Sequence, residues 1–305
     1  MTSIGTHIER IVRIELDAAD AQDLSVHLAK KGKPFRLHLW VAALLGMLIL
    51  AAVALSPAAP RPGERVALVD GHRVAYRVIG SGRPAIVMLS GLGDSMATFE
   101  DVAAELAKSR TVILYDRAGY GRSERGKAPR DAAAAARELS GLLAQSGVAP
   151  PYVLSGHSLG GLFAEYYAAK HPDQISGLIL EESRPAHFSR ICIAALGAGP
   201  CLPAAWMEWF LPNGAGDEIA ALAEMMGQVA STTPVKDKPV LVLSRPRNDT
   251  AEISFGSLWS KAQADLAARY PGSRHLSAKA GGHDLHHDQR EWFLASVQDF
   301  LSRMH

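Results

Sequence analysis

From residue 64 onward, short apolar runs alternate with Ala-rich stretches of helical spacing. Val66–Val69 and Val74–Val78 flank Asp70-Gly71, a pair that tolerates the positive φ angles of a two-residue hairpin turn. Ala85–Leu89, Thr111–Tyr115, Tyr152–Ser155, Gly177–Glu181 and Val240–Ser244 follow, each apolar enough to be a strand covered on both faces, and a last strand is expected over Ser273–Ser277. Between and after them, helices are expected over 98–108, 131–146, 159–170, 257–270 and 290–303. An antiparallel opening followed by βαβ units predicts one α/β domain, a mostly parallel central sheet flanked by helices. Ligands of such a sheet bind at the carboxyl ends of its strands.

Residues 185–237 interrupt the alternation. Phe188, Trp206, Met207, Trp209, Phe210, Leu211, Met225 and Met226 are interspersed there with Gly and Pro, which reads as an inserted cap of short helices over the strand ends. The alternative is that these side chains complete the main core.

Ahead of the domain the pattern changes. Residues 39–55, LWVAALLGMLILAAVAL, carry no ionisable side chain and reach the length of a bilayer core, for which about 17–25 apolar residues suffice. Lys30, Lys31, Lys33 and Arg36 precede the run, and Arg61 is the first cation after it. The positive-inside rule therefore predicts a single-pass transmembrane anchor over 37–56, with a cytoplasmic tail at 1–36 and the rest of the chain on the extracytoplasmic side, periplasmic or extracellular. Ala52-Val53-Ala54 resembles a signal-peptide cleavage site, but the segment before the run is far longer than an ordinary leader, so an uncleaved anchor is expected. A Pro-rich linker, 57–63, then leads into the domain at 64–305.

Composition narrows the chemistry. The 305 residues hold 32 Lys+Arg against 31 Asp+Glu, a formal net charge of +1, so nothing in the charge balance points to nucleic acid. The hydrophobic fraction of 48% fits a packed core. The two cysteines, Cys192 and Cys201, match no thiolate metal or redox motif. Outside the cytoplasm they would close a short disulfide loop within the inserted segment, two buried thiols being the alternative.

The run Tyr152-Val153-Leu154-Ser155-Gly156-His157-Ser158-Leu159-Gly160-Gly161 is a strand entering G-x-S-x-G and then a helix. Small residues at 156 and 160 allow a sharp turn that exposes the Ser158 hydroxyl beside a helix N-terminus, where it can attack a carbonyl carbon. Ser90-Gly91-Leu92-Gly93-Asp94-Ser95 follows the third strand, and Asp116-Arg117-Ala118-Gly119-Tyr120-Gly121-Arg122-Ser123 follows the fourth. With these segments, residues 64–305 resemble an α/β-hydrolase-fold serine hydrolase of the esterase/lipase kind, although Ser90 stands where the family commonly has His.

The resemblance implies a nucleophile at Ser158, an oxyanion hole made by the main-chain N–H groups of Leu92 and Leu159, and a base at His283 in Ala280-Gly281-Gly282-His283-Asp284. His286 and His287 are expected to be exposed, and His157 to pack or bond locally. For the acid, Glu182 at the end of the sixth strand is preferred, and Asp249, late in the loop after the seventh, is the alternative. Glu181 should face the other way from Glu182.

The implied activity is that of a membrane-anchored serine hydrolase cleaving a small, apolar carboxylic ester, with no metal or organic cofactor. Serine-dependent amidase, peptidase and thioesterase chemistry remains open, since a fold does not fix a substrate. Haloalkane dehalogenases and epoxide hydrolases rank lower because they use aspartate where this chain has Ser158. The alternative of a different class is a non-catalytic module that binds an apolar ligand and signals through its long N-terminal tail.

Overall fold

The computed structural model describes residues 63–202, 211–246 and 253–304. The apolar run 39–55 with its flanking tail and most of the linker, the aromatic cluster Trp206–Phe210, and Asp249 lie outside the described residues. Among the described residues no helix is long and apolar enough to cross a membrane.

The domain is built on an eight-stranded sheet, in the order β1-β2-β4-β3-β5-β6-β7-β8. It opens with the hairpin β1 (Glu64–Val69) and β2 (His72–Ile79). The turn places Asp70 at φ 49° and Gly71 at φ 83°, so Val69 pairs directly with His72. Then β2 runs antiparallel to β4 (Val112–Tyr115), and every later pairing is parallel: β3 (Ala85–Leu89), β5 (Tyr152–His157), β6 (Ile175–Glu181), β7 (Val240–Ser244) and β8 (Arg274–Ser277).

Alternation along the central strands divides the core into two layers. Val87, Leu89, Leu154, Leu178, Leu180 and Val242 face α2 (Ala132–Ser146) and α3 (Leu159–Lys170), packing on Leu139, Leu142, Leu162 and Tyr167. Ile86, Met88, Val153, Ile179, Leu241 and Leu243 face α1 (Glu100–Leu106) and the C-terminal helix, packing on Leu106, Phe293, Val297 and Leu301. Each fully buried aliphatic side chain contributes about 1.5–3 kcal/mol. Both faces are covered, which is why these strands read as continuous apolar runs.

Helix ends follow local chemistry. Asp131 accepts from the Ala134 N–H at the start of α2, and Gly147, at φ 78°, ends it. The helix expected over 98–108 divides, because the Ser95 hydroxyl accepts from Ala97 N–H and starts a 3-10 turn over Met96–Phe99 before α1. The strand expected to end at Ser155 continues as β5 to His157, since Gly156 pairs with Leu89 and Leu180, and His157 with Glu181.

Between β6 and β7 lie α4 (Phe188–Leu196), α5 (Asn213–Ala220) and α6 (Leu222–Ala230). They serve two cores. Phe188, Cys192 and Cys201 join Trp259 and Ala262 of α7 (Phe255–Ala268) in a satellite cluster, and Cys192 and Cys201 form a disulfide. Leu222, Met225 and Val229 of α6 instead complete the main core beside α2 and α3. After β8, α8 (Leu285–Asp288) and α9 (Arg290–Ser302) close the domain.

Candidate active site

The turn from β5 into α3 is possible only because its flanking residues are small. A Cβ at Gly156 would sit 2.5 Å from Gly161 Cα, and one at Gly160 would overlap the Leu89 carbonyl oxygen. Between them Ser158 is held at φ 52°, ψ −117°, a conformation unusual for a residue with a side chain. Main-chain bonds fix it: its N–H donates to Glu181 O at 3.0 Å, and its carbonyl accepts from Gly161 and Arg184.

Ser158 Oγ lies 2.8 Å from His283 Nε2, and His283 Nδ1 faces Glu182 Oε2 at 3.2 Å. The loop carrying His283 follows β8, turns at Gly281 (φ 101°), and is tied down where Gly282 N–H donates to Asp288 of α8 at 2.6 Å. Glu182, at φ 43°, is fully buried. Its Oε1 accepts from Arg245 N–H at 2.8 Å, and its Oε2 accepts from Arg245 Nε at 2.6 Å and Trp259 Nε1 at 2.8 Å. Burial disfavours the charge of Glu182. The hydrogen bond from His283 and the charge and N–H of Arg245 outweigh it and hold the carboxyl below its usual range. An ionised Glu182 fixes the proton of His283 on Nδ1, leaving Nε2 free to accept from Ser158.

Leu92 and Leu159 line a cavity of about 70 Å³ together with Ser158, Arg184, Glu218, Ile219 and Leu222. The loop holding Leu92 is fastened from behind by buried Arg117, whose Nη1 donates to Ser90 O at 2.6 Å and whose Nη2 donates to Gly91 O at 2.8 Å. Arg117 Nε in turn meets Glu218 Oε1 at 2.7 Å, and Tyr120 OH donates to Glu218 Oε2 at 2.5 Å. Burial works against the Arg117 charge, and Glu218 more than restores it.

Residues 84–301 match the model of the alpha/beta hydrolase fold family. The chain belongs to that family. Among solved structures, a thermophilic esterase from Thermogutta terrifontis is similar in fold at 20% identity and a TM-score of 0.59, over 79% of this chain and 99% of that one. The enol-lactonase from Burkholderia xenovorans LB400 is similar at 22% identity and a TM-score of 0.60, over 78% and 100%. In sequence, an uncharacterized protein of Mycobacterium tuberculosis is 39% identical over 112 residues, 37% of this chain and 32% of its own length. The chain thus spans about a third of the length of the first curated relatives it matches.

Within this alpha/beta hydrolase fold, some expected positions differ. His286 is buried rather than exposed, because the short α8 turns it inward: Glu181 Oε1 accepts from its N–H at 2.7 Å and faces its Nδ1 at 2.8 Å, while Phe99 packs 4.7 Å from its ring. Burial opposes charge on His286, yet the bond and charge of Glu181 raise its pKa. His287 is exposed and shares the Thr98 hydroxyl with His286. His157 does pack, buried against the His283 and His286 rings, while its hydrogen bond is a distant one, Nε2 donating to the His283 carbonyl at 3.0 Å, and burial lowers its pKa. Glu181 and Glu182 do face different partners. Arg184, Arg245 and Trp259 carry no site role in the sequence reading; Arg245 just after β7 and Trp259 in α7 reach Glu182 only through the fold.

Proposed function

We propose that this chain is a serine hydrolase that cleaves carboxylic esters through an acyl-serine intermediate. The observation that carries the reading is the 2.8 Å approach of Ser158 Oγ to His283 Nε2, with ionised Glu182 behind the imidazole. His283 takes the Ser158 proton as the oxygen attacks the acyl carbon, and Glu182 stabilises the imidazolium that forms. The N–H groups of Leu92 and Leu159 hold the developing oxyanion, a contribution for which loss of one donor typically costs about 10²–10³ in rate. His283 then protonates the leaving alcohol, and a water activated by the same imidazole releases the acid. The esterase and lactonase among the structural neighbours support ester chemistry.

A fluorophosphonate probe is expected to label the protein and not Ser158→Ala, and the same substitution should abolish hydrolysis of p-nitrophenyl esters. Equal labelling of both proteins, or of neither, overturns the reading.

The domain is proposed to act outside the cytoplasm, tethered by the apolar run 39–55. That run is free of ionisable residues and has a cluster of four cations, Lys30, Lys31, Lys33 and Arg36, just before it, and the Cys192–Cys201 disulfide suits an oxidising compartment. A reporter active only in the periplasm, fused after residue 305, should be active; activity of a cytoplasm-restricted reporter alone would reverse the orientation.

A further inference from the structure

Arg184 is a cation set beside Ser158 without an anion of its own among the described residues. Its N–H donates to Ser158 O at 2.9 Å, which anchors its backbone next to the elbow, and its side chain lines the same cavity as Ser158. One side of the guanidinium is structural: Nη2 donates to Ser189 Oγ and to Cys201 O at 3.2 Å, and the group sits 5.6 Å over the Phe188 ring. Its remaining donors are not used: among the described residues Nε is buried with no acceptor, Nη1 makes no hydrogen bond, and no carboxylate lies within ion-pair distance.

The neighbouring arginines behave differently. Arg117 is paired with Glu218, Arg130 with Glu138 and Arg245 with Glu182. Burial lowers the Arg184 pKa, and no acidic group pulls it back. Glu218 shares the cavity, but both of its oxygens are taken by Arg117 and Tyr120, so its charge is already balanced. The rest of the lining, Leu92, Leu159, Ile219 and Leu222, is apolar. Among the described residues the cavity therefore keeps one unmatched positive charge, in surroundings where an uncompensated ion is costly.

We infer that Arg184 is an anion subsite, and that the preferred substrate is an ester bearing a carboxylate close to the scissile carbonyl, which takes the free Nη1 donors. This deepens the ester-hydrolase reading and rests on it for the substrate, though not for the anion. A neutral isostere leaves the guanidinium unpaired in the cavity, so discrimination comes from the penalty on the wrong ligand as well as the gain on the right one.

The test compares kcat/KM for an aryl hemiglutarate with that for its neutral methyl glutarate isostere, and repeats the pair with the carboxylate on the alcohol side. The protein is expected to favour one charged ester by about 10–100-fold, the range of a hydrogen bond to a charged group, and chiefly through KM. In Arg184→Met that ratio should fall to about one, and Arg184→Lys should recover part of it. A ratio near one in the parent protein, or a ratio unchanged in Arg184→Met, overturns the inference. Binding of glutarate to Ser158→Ala by calorimetry gives a readout independent of turnover and of the Met variant's folding. Heat of binding supports the subsite even if no ester is hydrolysed; its absence at millimolar glutarate refutes it.

Discussion

Arg245 grips Glu182 through both carboxylate oxygens, with its main-chain N–H on Oε1 at 2.8 Å and its Nε on Oε2 at 2.6 Å. The same guanidinium approaches His283 Nδ1 to 3.5 Å, so it both orients the acid and places a positive charge beside the imidazole. Replacing Arg245 by Met should therefore lower kcat, because the carboxylate that orients the imidazole loses its side-chain hold. Arg245→Lys keeps a cation but not the planar Nε donor, and should recover only part of that loss. Steady-state kinetics on the three proteins distinguish these outcomes.

The Arg117–Glu218 pair is buried on both sides. Arg117→Met strands the carboxylate, and the expected cost is about 3–5 kcal/mol. Glu218→Gln combined with Arg117→Met should recover part of this, since neither charge then remains. Urea denaturation of the single and double variants measures the coupling. Ester hydrolysis should fall in Arg117→Met as well, because the Ser90 and Gly91 carbonyls lose the donors that hold the loop.

Stability should depend on pH through Glu165. Its Oε2 accepts from Tyr270 OH at 2.9 Å and its Oε1 has no partner, and burial pushes the carboxyl up to about 7 against the pull of Arg269. The folded state thus binds a proton that the unfolded chain releases near pH 4.5. Stability is lost as pH rises from there to about 7, by on the order of 3 kcal/mol. His286, raised by Glu181, acts in the same sense, its contribution present below its unfolded value and lost as pH climbs through the folded one. Glu182 acts oppositely, its contribution disappearing as pH falls below the usual carboxylate range. In Glu165→Gln the decline in Tm between pH 5 and 8 should be clearly shallower than in the parent.

Two glycines should respond in opposite ways to alanine. Gly160→Ala drives a methyl group into the Leu89 and Ser90 carbonyls of the strand that carries the Leu92 loop, and should yield insoluble or inactive protein. Gly227, exposed inside α6 with open space around it, should accept alanine and gain about 0.5–1 kcal/mol from helix propensity. Expression yield and thermal melts report both.

The elements most legible in the sequence are those whose signal is local. Ala85–Leu89 and Val240–Ser244 are strands with the expected bounds, because both faces are buried and turn residues punctuate the runs. Leu159–Lys170 is likewise a helix with the expected ends. The spatial grouping of Ser158, His283 and Glu182 was anticipated from motif resemblance, each lying just past a strand. The pairings that escaped are those between distant positions: Arg117 with Glu218, Glu181 with His286, and Arg245 with Glu182 each join segments that only the sheet brings together. His286 was misplaced because exposure cannot be read from an isolated polar run such as His286-His287. The inserted segment was only half legible, since its apolar residues look alike whether they cover strand ends or fill the core, and α6 does the latter.

The sheet order also sets the sequence in which a nascent chain can acquire reactivity. Strand β8 lies at the sheet margin, paired with β7 alone, and His283 follows it. While the ribosome still holds this C-terminal stretch, Ser158 can already be seated in its turn, but His283 has nowhere to dock. The two side chains meet only when this last strand zips onto the margin, so under the proposed chemistry a chain cut before β8 should resist the fluorophosphonate probe.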